Sequence, residues 1–168
     1  MKRIYLGLGS NLGDRLAHLS RAVEHLESAG VRVLRLSSYY RTQPVDFTAQ
    51  AWFVNCVAEA RTDLMPLRLL RACKAVERAG GRRPGVAKGP RPIDIDILLY
   101  ENAVIRSREL VVPHERLAAR RFVLVPLCEI APGLYHPGLQ RTVAEMLHET
   151  PDLSQVTRMK TSGVTRDK

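Results

Sequence analysis

Between Ile93 and Ile97 apolar and acidic residues alternate with period two, the pattern of a strand with one buried and one open face. Successive side chains of a strand point to opposite sides, so Asp94 and Asp96 share one face and Ile93, Ile95 and Ile97 the other. The two carboxylates then sit roughly 6–7 Å apart at their Cα atoms. Like charges at that spacing repel unless a cation lies between them. Just upstream, Arg82, Arg83, Lys88 and Arg91 place four positive charges in ten residues that contain no acid. A cation-seeking pair beside a cationic loop suits a phosphate-rich ligand. The plainer alternative, the solvated face of an edge strand, explains the two aspartates but not the Gly89-Pro90-Arg91 and basic run ahead of them.

At 168 residues the chain suits one domain with a sizeable core, expected over 1–158, with a disordered tail over 159–168. The 45% hydrophobic and 26% charged residues are an ordinary globular balance. A net charge of +9 points to an anionic partner without distinguishing nucleic acid from nucleotide. Cys56, Cys73 and Cys128 are odd in number and widely spaced, so neither a disulfide framework nor a zinc site is indicated. The apolar run after Lys2-Arg3 is too short for a signal peptide, and no segment approaches the ~20 apolar residues of a membrane span. A cytosolic location is expected.

In chain order, Ile4-Tyr5-Leu6-Gly7-Leu8-Gly9 reads as a first strand that breaks into a glycine turn. Gly7, Gly9 and Gly13 do not make a dinucleotide fingerprint, because the third glycine is one place late. Asp14 caps a helix with Leu16, Leu19, Val23 and Leu26 on one face, ending at Gly30. A second strand is expected over 31–41, a covering loop over 42–50 and a third strand over 53–60. Asp63 as cap and Pro66 in the first turn open a second helix with a stripe of Leu67, Leu70, Cys73 and Val76. The Asp-bearing strand is fourth, followed by a turn at Glu101-Asn102 and a short return strand at 103–105. Helices are expected from Arg120 to about Pro132 and over 142–149. Strand, helix, strand, strand, helix, strand is the order of an α+β ferredoxin-like sandwich, an antiparallel sheet with helices packed on one face.

Arg91-x-x-Asp94-x-Asp96-Ile97-Leu98, preceded by Gly89-Pro90, resembles the signature of the 6-hydroxymethyl-7,8-dihydropterin pyrophosphokinase family of folate synthesis. The resemblance extends over roughly 4–147 with the motifs in the family's order, and it implies the same fold. It also implies transfer of the terminal pyrophosphoryl group of ATP to the hydroxymethyl group of a reduced pterin, releasing AMP. By this resemblance Asp94 and Asp96 hold two magnesium ions on the triphosphate, and Arg82 and Arg91 neutralise transition-state charge. Leu70, Glu77, Lys88, Ile97, His114 and Arg120 fall on the nucleotide side; Lys88 stands where the family carries an aromatic. Phe53 and Phe122 sandwich the pterin, Asn55 bonds its edge, and Thr42 and Val45 contact the ring. The glycine- and proline-rich stretch between Ala79 and Ile93 is expected to act as a lid over ATP. No nucleic acid, membrane or obligate protein partner is expected.

Two other classes share parts of this pattern. A basic ferredoxin-like domain can bind RNA on its sheet, but only 5% of residues are aromatic and no RNP1-like pattern occurs. A metal-dependent nuclease or nucleotidyltransferase can use the same Asp-x-Asp pair.

Overall fold

The computed structural model describes residues 1–83 and 89–160. Lys88, the middle of the proposed lid and most of the expected tail lie outside the described residues.

Strand β1 (Lys2–Ser10) is an interior strand of the sheet, next to one edge. It pairs antiparallel with β4 (Phe53–Thr62) on one side and β5 (Asp94–Tyr100) on the other. The expected strand over 31–41 is broken into β2 (Val31–Leu36) and β3 (Tyr40–Thr42). Both pair with the far edge of β4, β2 at its C-terminal end and β3 at its N-terminal end, so together they fill one strand position. The last strand in the chain, β10 (Val156–Arg158), lies outside β3, and Met159 N still donates to Tyr39 O at 2.8 Å.

The alternation in the sequence sorts the side chains. Ile4, Leu6 and Leu8 of β1, Val54, Cys56 and Ala58 of β4, and Ile95 and Ile97 of β5 pack with Ile93 beneath helices α1 (Arg15–Ser28) and α2 (Pro66–Ala79). Each large side chain fully buried in this layer contributes about 1.5–3 kcal/mol through the hydrophobic effect. Asp14 caps α1 as expected, its Oδ1 accepting from Ala17 N at 3.1 Å, and Gly30 turns the chain at φ +92°. Leu16 departs from the expected stripe and stays exposed.

Two expectations for α2 are corrected. Asp63 does not cap it: the cap position is Met65, with no side-chain bond, and Asp63 instead pairs with the N-terminal amine of Met1 at 3.2 Å. The buried stripe is Leu69, Cys73, Val76 and Glu77, with Leu67 exposed. Steps of three throughout, as in 67–70–73–76, lag 60° each at 3.6 residues per turn, so the first position ends on the far side of the helix from the last. Steps of four and three keep the stripe in line.

The other face of the sheet is partly covered by α3 (Arg121–Ile130) and α4 (Val143–Glu149). They pack on Tyr5, Val57, Leu98 and Leu99, so the α+β sandwich carries α1 and α2 on one face and this added pair on the other. The return strand at 103–105 is β6 (Ile105–Arg106); it pairs with β7 (Val111–Val112) rather than rejoining the sheet. A second small hairpin joins β8 (Tyr135–His136) and β9 (Arg141–Thr142). Among the described residues no helix is long and apolar enough to cross a membrane.

Candidate active site

The register places two glycines of β1 between the chemically distinctive strands. Gly9 is opposite Asn55 on β4 and Asp94 on β5; Gly7 is opposite Val57 and Asp96. Lacking side chains, they leave a low strip of sheet flanked by an amide and two carboxylates. Beside it opens a cavity of about 300 Å3, the lower end of the range for small-molecule sites. Thr42, Val45, Phe53, Asn55, Arg82, Arg91, Asp94, Asp96, Arg120 and Phe122 line it.

At one end of this slot the charges are interlocked. Arg82 Nη1 donates to Asp94 Oδ1 at 2.6 Å and lies 2.9 Å from Glu77 Oε1. Glu77 is buried beneath β5 and its Oε1 also accepts from Ile95 N at 2.8 Å. Burial pushes the Glu77 carboxyl up, opposed by the Ile95 N–H and then by Arg82. Its structural role is therefore to anchor Arg82 against the strand. Arg91 lies over the Phe53 ring at 5.0 Å. Its Nη1 donates to Gly89 O at 2.7 Å, while its Nε is buried, 3.5 Å from Asp94 Oδ2, without a hydrogen-bond partner among the described residues.

Burial, and then the neighbouring Asp94 charge, push the Asp96 carboxyl up to about 7. Its side chain nonetheless keeps 35% exposure, because that surface opens into a concave cleft. His114 Nε2 stands 3.9 Å from Asp96 Oδ1, and its Nδ1 accepts from Arg116 N at 3.1 Å. Burial, followed by the Arg120 charge, lowers the His114 pKa and keeps the ring neutral at neutral pH. His114 also borders a groove between β7 and the β8–β9 hairpin, while its Nε2 is turned to Asp96 of the slot.

The other end is apolar and amide-lined. Phe53 of β4 and Phe122 of α3, 69 positions apart in the chain, line the same cavity, with Asn55 two residues beyond Phe53 on β4. Asn55 is buried and its Nδ2 donates to Thr42 Oγ1 at 2.6 Å, which fixes the amide and leaves Oδ1 as an acceptor. Arg120 lies over the Phe122 ring at 5.4 Å. Val45 sits at the mouth, exposed. Leu70 and Ile97 are not in the slot: Ile97 is buried in the layer beneath α1 and α2, and Leu70 packs against that layer.

Several contributors were not singled out from the sequence. Asn11, at the end of β1, has its Oδ1 accept from Arg91 N at 2.9 Å while its Nδ2 donates to Gln50 Oε1 at 2.7 Å and Ala51 O at 3.1 Å. One buried amide thus holds the arginine segment and the 43–52 loop together. Asp46, the single acid of that loop, meets Arg116 and Arg120. Its position beside Val45 was the available signal.

Asp94 and Asp96 supply hard oxygen donors, and among the described residues no group of three or more His, Cys, Asp or Glu is placed to hold a metal. Two carboxylates, with phosphate oxygens and water for the remaining positions, fit magnesium, which keeps much of its shell outside the protein.

The sequence profile of the 7,8-dihydro-6-hydroxymethylpterin-pyrophosphokinase family matches residues 5–132. A 2-amino-4-hydroxy-6-hydroxymethyldihydropteridine pyrophosphokinase of Methylorubrum extorquens is 49% identical over 148 residues, covering 88% of this chain and 92% of that one. The protein of the same name from Aquifex aeolicus is 42% identical over 149 residues, covering 89% and 92%. A crystal structure of Plasmodium falciparum HPPK-DHPS shares the fold with a TM-score of 0.69 at 15% identity; the alignment covers 88% of this chain and 44% of that one. The chain belongs to the 7,8-dihydro-6-hydroxymethylpterin-pyrophosphokinase family.

Proposed function

We propose that the aromatic end of the slot takes the reduced pterin and that the arginine–carboxylate end takes the triphosphate of ATP. The protein is a pyrophosphokinase acting on hydroxymethyldihydropterin in folate synthesis. The observation that carries the division of roles is that two aromatic rings, a fixed amide and two carboxylates line one cavity. The rings stack on the flat acceptor, and Asn55 Oδ1 selects a donor on its edge. The acceptor's hydroxymethyl oxygen bonds to the β-phosphorus as the bond to AMP breaks. Protein groups in such transfers position the reactants and neutralise charge, so no covalent nucleophile is required. Arg82 and Arg91 do the neutralising: their guanidinium groups stand against Asp94 and line the cavity that takes the phosphates. Asp94 and Asp96 would hold magnesium, which would supply charge neutralisation for the triphosphate.

The reading requires neither nucleic acid nor a second protein, and free Cys56, Cys73 and Cys128 support a reducing, cytosolic setting. The test is AMP release from ATP and magnesium with and without 6-hydroxymethyl-7,8-dihydropterin. Release only with the pterin, matched by formation of its diphosphate, supports the reading. Pterin-independent release would favour a nuclease or hydrolase.

A further inference from the structure

We infer that Asp46 is the positioning residue of the acceptor slot: its carboxylate, held by Arg116 and Arg120, fixes the loop wall against which the pterin packs. This rests on the slot being the acceptor site. The loop over 43–52 has no regular structure, yet Val45 and Asp46 from it line the cavity. A wall of this kind keeps its shape only through side-chain ties, because ordering irregular backbone costs about 1–2 kcal/mol per residue.

The two ends of the loop are tied by different chemistry. The end near β4 is held by bonds to neutral acceptors of the loop, from the Asn11 amide to Gln50 and Ala51 and from Arg15 Nη1 to Trp52 O at 2.8 Å. The tip is held by charge. Asp46 Oδ1 lies 3.2 Å from Arg116 Nη1 and Asp46 Oδ2 lies 3.1 Å from Arg120 Nη2, so each oxygen meets one guanidinium. Both arginines come from the segment between β7 and α3, which lies across the slot in the fold and 70 or more residues away in sequence. The Asp46 side chain keeps 33% exposure, which leaves the tie open to screening by salt.

Arg120 gives this tie a second consequence. It lines the cavity and lies over Phe122, so a phosphate entering the slot competes with Asp46 for the same guanidinium. Asp46 therefore acts in opposite senses on the two substrates. It supports the uncharged pterin by holding the wall, and through Arg120, whose charge reaches from Phe122 to Asp96, it subtracts positive potential from the end that takes the triphosphate. A residue that only stabilised the fold would, on removal, weaken both.

The experiment measures 6-hydroxymethylpterin by fluorescence titration and magnesium with a non-hydrolysable ATP analogue by calorimetry. It compares the wild type with Asp46→Asn, Asp46→Glu, Arg116→Gln and the Asp46→Asn/Arg116→Gln double variant. Asp46→Asn should weaken the pterin about threefold to thirtyfold, the range for two partly exposed ion pairs. The nucleotide should bind as tightly as in the wild type or more so. Asp46→Glu should recover part of the pterin affinity, and the double variant should be no worse than the worse single one. The sharpest signature is salt. An uncharged pterin should bind the wild type less well as potassium chloride is raised, and Asp46→Asn should lose that dependence. Unchanged pterin affinity in Asp46→Asn, or parallel weakening of both ligands with a lowered melting temperature, overturns the inference alone. Failure of the wild type to bind 6-hydroxymethylpterin overturns both the inference and the acceptor-site reading.

Discussion

Gly9 of β1 stands opposite Asn55 of β4, and a methyl group on Gly9 would come within 2.3 Å of Asn55 Oδ1. The amide has little room to yield, since its Nδ2 donates to Thr42 Oγ1 at 2.6 Å. Gly9→Ala should therefore displace the group that reads the pterin edge, at a stability cost of about 1–3 kcal/mol, typical of overpacking. Pterin binding should fall steeply while nucleotide binding persists. Gly7→Ala is the control, because its methyl would meet only Leu98 at 3.5 Å, an ordinary contact. Titration of both variants with both ligands decides it, and equal damage from the two would remove the amide from the explanation.

Asp94→Asn and Asp96→Asn should each lower turnover by about 10²–10³-fold, the scale for losing one preorganised electrostatic contact. The two should differ in the protein itself. Asp94 also holds Arg82 at 2.6 Å, whereas Asp96 makes no such close contact with an arginine in the described ion pairs. Asp94→Asn should therefore raise exchange of the Arg82 segment in hydrogen-exchange measurements, and Asp96→Asn should not. Near wild-type turnover of either variant in magnesium would remove that residue from the metal site.

Phe53→Ala and Phe122→Ala should each weaken pterin binding by about 1–3 kcal/mol, as for other stacked bases. Each ring also carries an arginine on its face, Arg91 at 5.0 Å and Arg120 at 5.4 Å. A smaller loss on the nucleotide side, about 0.5–1 kcal/mol, should accompany the main effect. Calorimetry with each ligand separates the two, and a larger loss for nucleotide than for pterin would reverse the assignment of the slot's ends.

A pH-dependent tie lies away from the slot. Glu129 of α3 accepts from Ser38 N at 3.1 Å, Ser38 Oγ at 2.6 Å and Tyr40 OH at 2.7 Å. Burial acts to raise its pKa, but these bonds outweigh it and hold the carboxyl below the usual value of 4.5. The same contact, after burial, pushes the Tyr40 hydroxyl up to about 12. A carboxylate with a depressed folded pKa stabilises fully above the unfolded value and loses that contribution as pH falls through the folded one. Glu129→Gln should thus cost about 1–3 kcal/mol at pH 7. Thermal unfolding at pH 7 and in acid should show the gap closing; a gap that persists in acid would mean lost packing rather than lost charge.

What could be read in the sequence was set by how local each signal is. Asp94 and Asp96 announce their strand and their shared face through alternation alone, and Asp14 announces α1 because a cap bonds within three residues. The α2 stripe was misread because Leu67, Leu69 and Leu70 offer two helical phases, and only packing against β5 chooses between them. The break between β2 and β3 carries no strong local mark in Ser37-Ser38. The pairing of Phe53 with Phe122, suggested by family resemblance, has no local signal at all, since it depends on α3 returning over the sheet. Asp46 escaped for the same reason: an acid in a loop looks solvated until the arginines that meet it are brought back from 70 or more residues away.

The interleaving on β1, β4 and β5 bears on how such a protein changes under selection. Codons for Ile4, Leu6, Leu8, Ile95 and Ile97 are read out as melting temperature, and the codons between them, for Gly9, Asp94 and Asp96, are read out as chemistry. Drift in the first set is nearly silent to the second, so lineages can repack for hot or cold habitats without retuning the reaction. The same interleaving makes the strands intolerant of a change in length. Deleting one residue between Ile93 and Ile97 exchanges the two sets, pressing carboxylates into the layer of Leu19 and Leu26 and lifting isoleucines into the slot.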